Sequence, residues 1–202
     1  MSSGADQLTG NKLLLAEGKE DRQFIDALLK HFGVTGVQVE EYGGKTNLGR
    51  YLRELPLRPG FATVTSIGIT RDADASVVSA RDSVGTAVRE AGLAAAHLGT
   101  DQPTPRVAVF LMPNNRDAGM LEDACLQSVE DDPAMSCVAE FFACVLTRVG
   151  REPNNRSKAR VHAWLATHPK ADKRLGEAAE AGGYWRFDHE VFRPLIEFIR
   201  AL

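Results

Sequence analysis

The regular alternation of short apolar runs with helix-period segments constrains this chain more than any other feature. Lys12-Leu13-Leu14-Leu15-Ala16 reads as a buried strand that ends at Glu17-Gly18. Residues 20–32 then place Phe24, Ile25, Leu28 and Leu29 at helical spacing, and Gly33 closes the helix. Residues 37–42 alternate as a second strand, and 47–55 form a short helix stopped by Pro56. The β-branched run 61–70 predicts a third strand, 76–91 a helix ended by Gly92, 99–105 a loop, and 106–112 a fourth strand cut by Pro113. From there the strands stop, and helices are expected over 119–129, 134–149, 157–167, 172–181 and 189–201. This order predicts an α/β fold: a mostly parallel four-stranded sheet with right-handed crossovers, flanked by helices, with a helical C-terminal third. Residues 1–10 are small and polar and read as a flexible tail. Residues 11–130 carry the α/β unit, and 131–202 a helical extension packed on the same domain.

Composition narrows the class. A chain of 202 residues with 44% apolar and 25% charged residues can bury a single real core. No apolar run approaches the roughly 18 residues of a membrane span, and the first residues have neither the basic start nor the apolar stretch of a secretory signal. Cys125, Cys137 and Cys144 lie in apolar patterns without a C-x-x-C pair, so free buried thiols and a cytoplasmic location are expected. No His-x-x-x-His or His-Glu-x-x-His spacing occurs, which argues against zinc. A net charge of −3 excludes a generally basic nucleic-acid coat.

Acidic residues gather where ligands of a parallel sheet bind, beyond the carboxyl ends of the strands. Glu17 and Asp21 follow the first strand, Asp72 and Asp74 the third, and Glu122-Asp123 the fourth. In an Asp-x-Asp the middle residue points away, so both carboxylates can face one point. Two or three carboxylates with water suffice for a hard cation such as Mg²⁺. Gly18 would let the strand turn sharply. Each acid also has a plain structural reading: Asp21 in the first turn of a helix favours the macrodipole, and Asp72 and Asp74 could cap the next helix.

The segments Leu13-Leu14-Leu15-Ala16-Glu17-Gly18-Lys19-Glu20-Asp21 and Ile69-Thr70-Arg71-Asp72-Ala73-Asp74 together resemble the TOPRIM domain, the Mg²⁺-binding module of topoisomerases, DnaG-type primases, RecR-like repair proteins and OLD-family nucleases. The E-G-x-x-D form, followed by Tyr42-Gly43-Gly44-Lys45-Thr46-Asn47, is most similar to the OLD-type branch. It also resembles a small family of stand-alone TOPRIM-like proteins of uncharacterised function, with likeness running through Tyr184-Trp185-Arg186-Phe187. The TOPRIM likeness covers about residues 11–130. It implies metal ligands at Glu17, Asp21, Asp72, Asp74 and Glu122, and a proton-transfer role for Glu17. The topoisomerase pattern D-x-D-x-[DE] is broken by Ser76, and no catalytic tyrosine domain is present.

Basic residues lie nearby in sequence. Gly44-Lys45-Thr46 looks like the tail of a P-loop, but Val39 stands where its first glycine belongs, so this reads as a sheet-edge turn that touches phosphate. Lys19 and Arg160 are further phosphate candidates. Residues 148–174 hold eight Lys/Arg against two acids, whereas 116–132 hold six acids against one Arg. A basic helical flank facing an acidic cleft is one reading, and a solvated helix face the other. Lys158 is similar in setting to the lysine that OLD-like nucleases place near the scissile phosphate. Trp164, Tyr184 and Trp185 either stack on bases or pack in the core. The Pro-Asn-Asn-Arg strings at 113–116 and 153–156 read as two loops with Asn caps rather than a repeat.

Taken together the residues and the resemblance lead to a phosphoryl-transfer enzyme dependent on Mg²⁺ or Mn²⁺, a nuclease acting on DNA or RNA. OLD-type nucleases usually carry an ATPase domain, and none is legible here, so ATPase action would come from a partner protein or be dispensed with. The alternative is a non-catalytic TOPRIM module that binds nucleic acid or protein, as RecR-like proteins do. A plain dinucleotide binder is disfavoured because G-x-G-x-x-G is missing after the first strand.

Overall fold

A computed structural model describes residues 7–93 and 105–202. Four parallel strands, β1 (Lys12–Ala16), β2 (Val37–Glu41), β3 (Ser66–Asp72) and β4 (Arg106–Met112), stand in the order β2-β1-β3-β4. The chain moves outward from β1 to β2, then crosses back to lay β3 on the other side of β1. The direction of winding therefore reverses between β1 and β3, whose register pairs Lys12 with Ser66 and Leu15 with Ile69. Such a switch point opens a crevice at the carboxyl ends of the two strands.

Side-chain alternation along the strands builds a layer on each face. Leu13 and Leu15 of β1, with Ile67 and Ile69 of β3, meet α2 (Leu48–Glu54) and α3 (Val77–Glu90). Leu14 and Ala16, with Phe110 and Met112 of β4, face a larger cluster. That cluster includes Phe24, Ile25 and Leu28 of α1 (Lys19–His31), Leu121 and Cys125 of α4 (Leu121–Ser128), and Trp164 of α6 (Arg156–Leu165). Leu175 of α7 (Leu175–Ala181) and Leu195 and Ile199 of α8 (Arg193–Arg200) complete it. The C-terminal helices thus share one core with the sheet, and each fully buried leucine or isoleucine in it contributes about 1.5–3 kcal/mol. Gly68 of β3 is small for a reason: a Cβ there would come within 2.8 Å of Leu14 and Leu202 methyls. Among the described residues no helix is long and apolar enough to cross a membrane.

The strand and helix order agrees with the sequence, and three details differ. Residues 61–63 form a 3₁₀ turn, and the third strand starts only at Ser66 and continues through Asp72. Gly60 at φ 91° sets that turn, with its Cα so close to Leu8 that a Cβ would meet the Leu8 carbonyl oxygen at 2.1 Å. The second difference follows from the first. Residues 7–10, read as tail, are held: Leu8 is buried and donates its N–H to Pro59 O (2.9 Å), and Gln38 Oε1 accepts from the N–H groups of Thr9 and Gly10. The rest of the expected tail and residues 99–104 of the expected loop lie outside the described residues. Thirdly, only Cys125 is a buried thiol. Cys137 and Cys144 are exposed on α5 (Ala134–Val149), because that helix is apolar on more than the side it buries.

Candidate functional site

Three strand ends deliver acids to the switch point. Glu17 follows β1 directly. Gly18 then caps α1 in ordinary extended backbone (φ −143°), so flexibility is not what it supplies there. A Cβ there would lie in ordinary contact with Asp21 Oδ2, at 3.4 Å. Asp21 lies in the first turn of α1, where its carboxylate also accepts from the free N–H groups. Asp72 is the last residue of β3, and its Oδ1 accepts the Leu121 N–H at 3.1 Å, which holds the start of α4 against the sheet. Glu122, one residue on, then points into the same cavity.

That cavity, of about 620 Å³, is lined by Asp21, Asp72 and Glu122, with Lys19, Lys158 and His162 among its basic groups. Its acids perturb one another. Burial, then the charges of Glu122 and Glu17, pushes Asp21 up to about 7. Burial, then Asp21, Glu122 and Glu17, pushes Asp72 up to about 8. Glu122 is raised by burial, opposed by its backbone hydrogen bond and by Lys158, whose Nζ lies 3.7 Å from Glu122 Oε1. The same acids raise Lys158 against the effect of its own burial. Glu17 adjoins this group, and its Oε2 is buried with no hydrogen-bond partner. Tyr42 donates to Thr70 O (3.0 Å), and burial, then the Glu17 charge, drives its phenol upward.

A donor set of hard oxygens, one of them buried and unpartnered, suits Mg²⁺ or Mn²⁺. As the side chains stand, no three His, Cys, Asp or Glu among the described residues close on a single point, so gripping an ion requires the carboxylates to turn inward.

Of the acids read from sequence, the fold brings Glu17, Asp21, Asp72 and Glu122 together but turns Asp74 aside. Ala73 is buried, Asp74 takes φ 50°, and its backbone exchanges both hydrogen bonds with Gly119 (2.9 and 2.8 Å). Its carboxylate instead meets Lys45 Nζ at 3.1 Å. Asp123 is structural: it accepts from Met120 N (2.8 Å) and Ser157 Oγ. Gly44, at φ 98°, donates its N–H to Glu17 O (2.8 Å) and so ties the β2 loop to the end of β1. Arg160 is not brought to the cavity. It lies on the other side of α6, beside α5. Trp164 and Trp185 are core residues stacked at 4.8 Å, with no face free for a base. Asn115 and Asn155 both bond backbone N–H groups, of Leu111 and Lys158, as loop caps do.

Sequence reasoning missed Glu20, His162 and Arg174 at the cavity wall. His162 was within reach, since it is four residues after Lys158 and shares its helical face. Arg174, 3.7 Å from Glu20, is placed only by the docking of α7 on α1, where Gly176 lies so close that a Cβ would be 2.8 Å from Glu20 O.

The described architecture is similar to solved C-terminal regions of OLD proteins. The Burkholderia pseudomallei region shares 16% identity at a TM-score of 0.53, with 96% of this chain and 98% of that one covered. The Xanthomonas campestris pv. campestris region shares 16% identity at a TM-score of 0.50, with 96% of both chains covered. At such identity the likeness speaks to fold alone. No curated protein matches the chain. The family of unknown function DUF3226 matches residues 11–202, and the chain belongs to it.

Proposed function

We propose that this chain is a divalent-metal-dependent phosphoryl-transfer enzyme, a nuclease acting on DNA or RNA. The observation that carries this reading is that Asp21, Asp72 and Glu122 line one cavity, with Glu17 beside them, at the switch point of a parallel sheet. Burial of like charges is costly, and the backbone bonds of Asp21 and Asp72 account for only two of the four acids. Glu17, Asp21, Asp72 and Glu122 would hold one or two Mg²⁺ or Mn²⁺ ions. When bound, the ions supply a nucleophile from water and stabilise the leaving oxygen. Lys158 holds its ammonium over the same cavity and neutralises charge on the phosphate. Lys19, at the cavity wall, contacts a neighbouring phosphate. Glu17 carries the proton that the attacking water releases. Lys45 and Gly44 sit at the end of β2, close enough to Glu17 and Asp74 to orient the substrate strand.

The test is cleavage. Supercoiled plasmid, linear DNA and structured RNA are incubated with Mg²⁺ or Mn²⁺ and either wild type or Asp72→Asn. Metal-dependent cutting that the substitution reduces by about 10²–10³-fold is expected. Equal cutting by the variant puts the chemistry elsewhere or in a contaminant.

One observation favours a second reading, a TOPRIM module that binds nucleic acid or protein without cutting it. Asp74 is engaged with Lys45 and stands apart from the other acids. Binding of DNA or RNA without turnover at any metal concentration selects that reading.

A further inference from the structure

Helix α6 sorts its basic residues onto two sides. Lys158 and His162 face the acidic cavity, while Arg156 and Arg160, also four apart, face away from it toward α5. Between α5, α6 and the loop that joins them lies a second groove of about 620 Å³. Phe142, Ala143 and Leu146 form its apolar wall, and Arg151, Arg156 and Arg160 its basic rim. Residues 148–160 carry four arginines against one acid, Glu152, which pairs with Arg156 at 3.7 Å. No ion pair involves Arg151 or Arg160 among the described residues, although Arg160 also borders a smaller cavity with Asp123 and Glu130.

The helix that supplies the wall is conspicuously uncovered. Of its sixteen residues only Met135 and Val138 are buried, and Phe141, Leu146 and Val149 are 55%, 45% and 49% exposed. Of these three, Leu146 lines the groove, beside the half-buried Phe142, and together they give it a contiguous apolar wall. A phosphate backbone has no use for Phe142 and Leu146, whereas an amphipathic helix has a use for both halves of this groove.

We infer that the α5–α6 groove docks an acidic amphipathic helix of a partner protein, with its apolar side chains against Phe142 and Leu146 and its carboxylates on Arg151, Arg156 and Arg160. The charge of the rim selects an acidic partner and speeds its arrival, and the apolar wall holds it. The groove lies on the side of α6 away from the acid cavity, so the inference stands apart from the nuclease reading.

The probe is a fluorescein-labelled 18-residue peptide with leucine at positions i, i+3, i+4 and i+7 and glutamate on its other face, titrated by anisotropy into the full chain. Saturable binding is expected, weakened about tenfold by raising the salt or by Arg156→Glu/Arg160→Glu. Leu146→Asp should weaken it by a similar factor. Leu146 is exposed, so that variant should fold, and an unchanged melting curve checks it. A peptide with lysine in place of glutamate should not bind. In the titration, any of three results overturns the inference: no binding by the glutamate peptide, equal binding by the double-arginine variant, or displacement of the peptide by a single-stranded oligonucleotide at lower concentration. Dimerisation that buries the groove, read by sedimentation, overturns it in favour of a second copy.

Discussion

Among single residues, buried acids held in each other's company set the character of the cavity. Asp21 and Asp72, raised to about 7 and about 8, are partly protonated near neutral pH without a cation. Both folded values exceed the unfolded one, so their contribution to stability is intact in acid and is lost as pH rises through the folded values. The cation-free protein should therefore melt higher at pH 5 than at pH 8, and Mn²⁺ should recover the difference at pH 8. Equal melting at both pH values would disprove the coupling. Asp72→Asn, which removes one of the repelling charges, should raise the cation-free melting temperature at pH 8 by about 2–4 °C for each kcal/mol of relief. Its lost bond to Leu121 N works in the opposite direction, and an asparagine oxygen can still accept that bond. Lys158→Met should lower cleavage by about 10²–10³-fold while leaving the fold intact, as circular dichroism would show. The acids were readable because strand ends are marked by apolar runs that stop. The turning aside of Asp74 was not, because an Asp at φ 50° cannot be inferred from an Asp-x-Asp spacing. Glu122 and Asp123 are neighbours with opposite fates, and only the position of Ser157 and Met120 N tells them apart.

Elements were more legible than contacts. Helical periodicity in residues 20–32 and 76–91 survives as α1 and α3 within a residue or two at either end, since buried faces at 3.6-residue spacing leave few alternatives. The run at 61–65 misled because aromatic and β-branched residues serve a 3₁₀ turn as well as a strand, and the positive φ at Gly60 is invisible in composition. The apolar pattern of α5 likewise predicts burial without saying against what. Where elements press closest, glycine marks the place. Gly176→Ala would push a methyl to within 2.8 Å of Glu20 O and Gln23, forcing α7 off α1. A cost of about 1–3 kcal/mol is expected from denaturant titration. A neutral result would mean that the two helices are free to part. Gly60→Ala faces both a backbone clash at Leu8 and a positive φ, so it should cost at least as much.

For the whole molecule, topology does what no single residue can. Reversal of winding between β1 and β3 opens the crevice, parallel strands aim their carboxyl ends into it, and Lys158 and His162 of α6 with Arg174, just before α7, wall it with basic groups. The sequence order of strands and helices was enough to expect a parallel sheet, but the order β2-β1-β3-β4 is a tertiary fact on which the site depends. Arg174, just before α7, enters the cavity wall from a segment distant in sequence for the same reason. In solution this crevice is expected to take up a divalent cation. Calorimetric titration of Mn²⁺ into the protein at pH 7.5 tests it directly, with Glu17→Gln/Asp72→Asn as the comparison. Saturable binding by the wild type with proton release is expected, and loss of that binding in the double variant. Absence of binding by a folded wild type, or binding that the double variant retains in full, would contradict it.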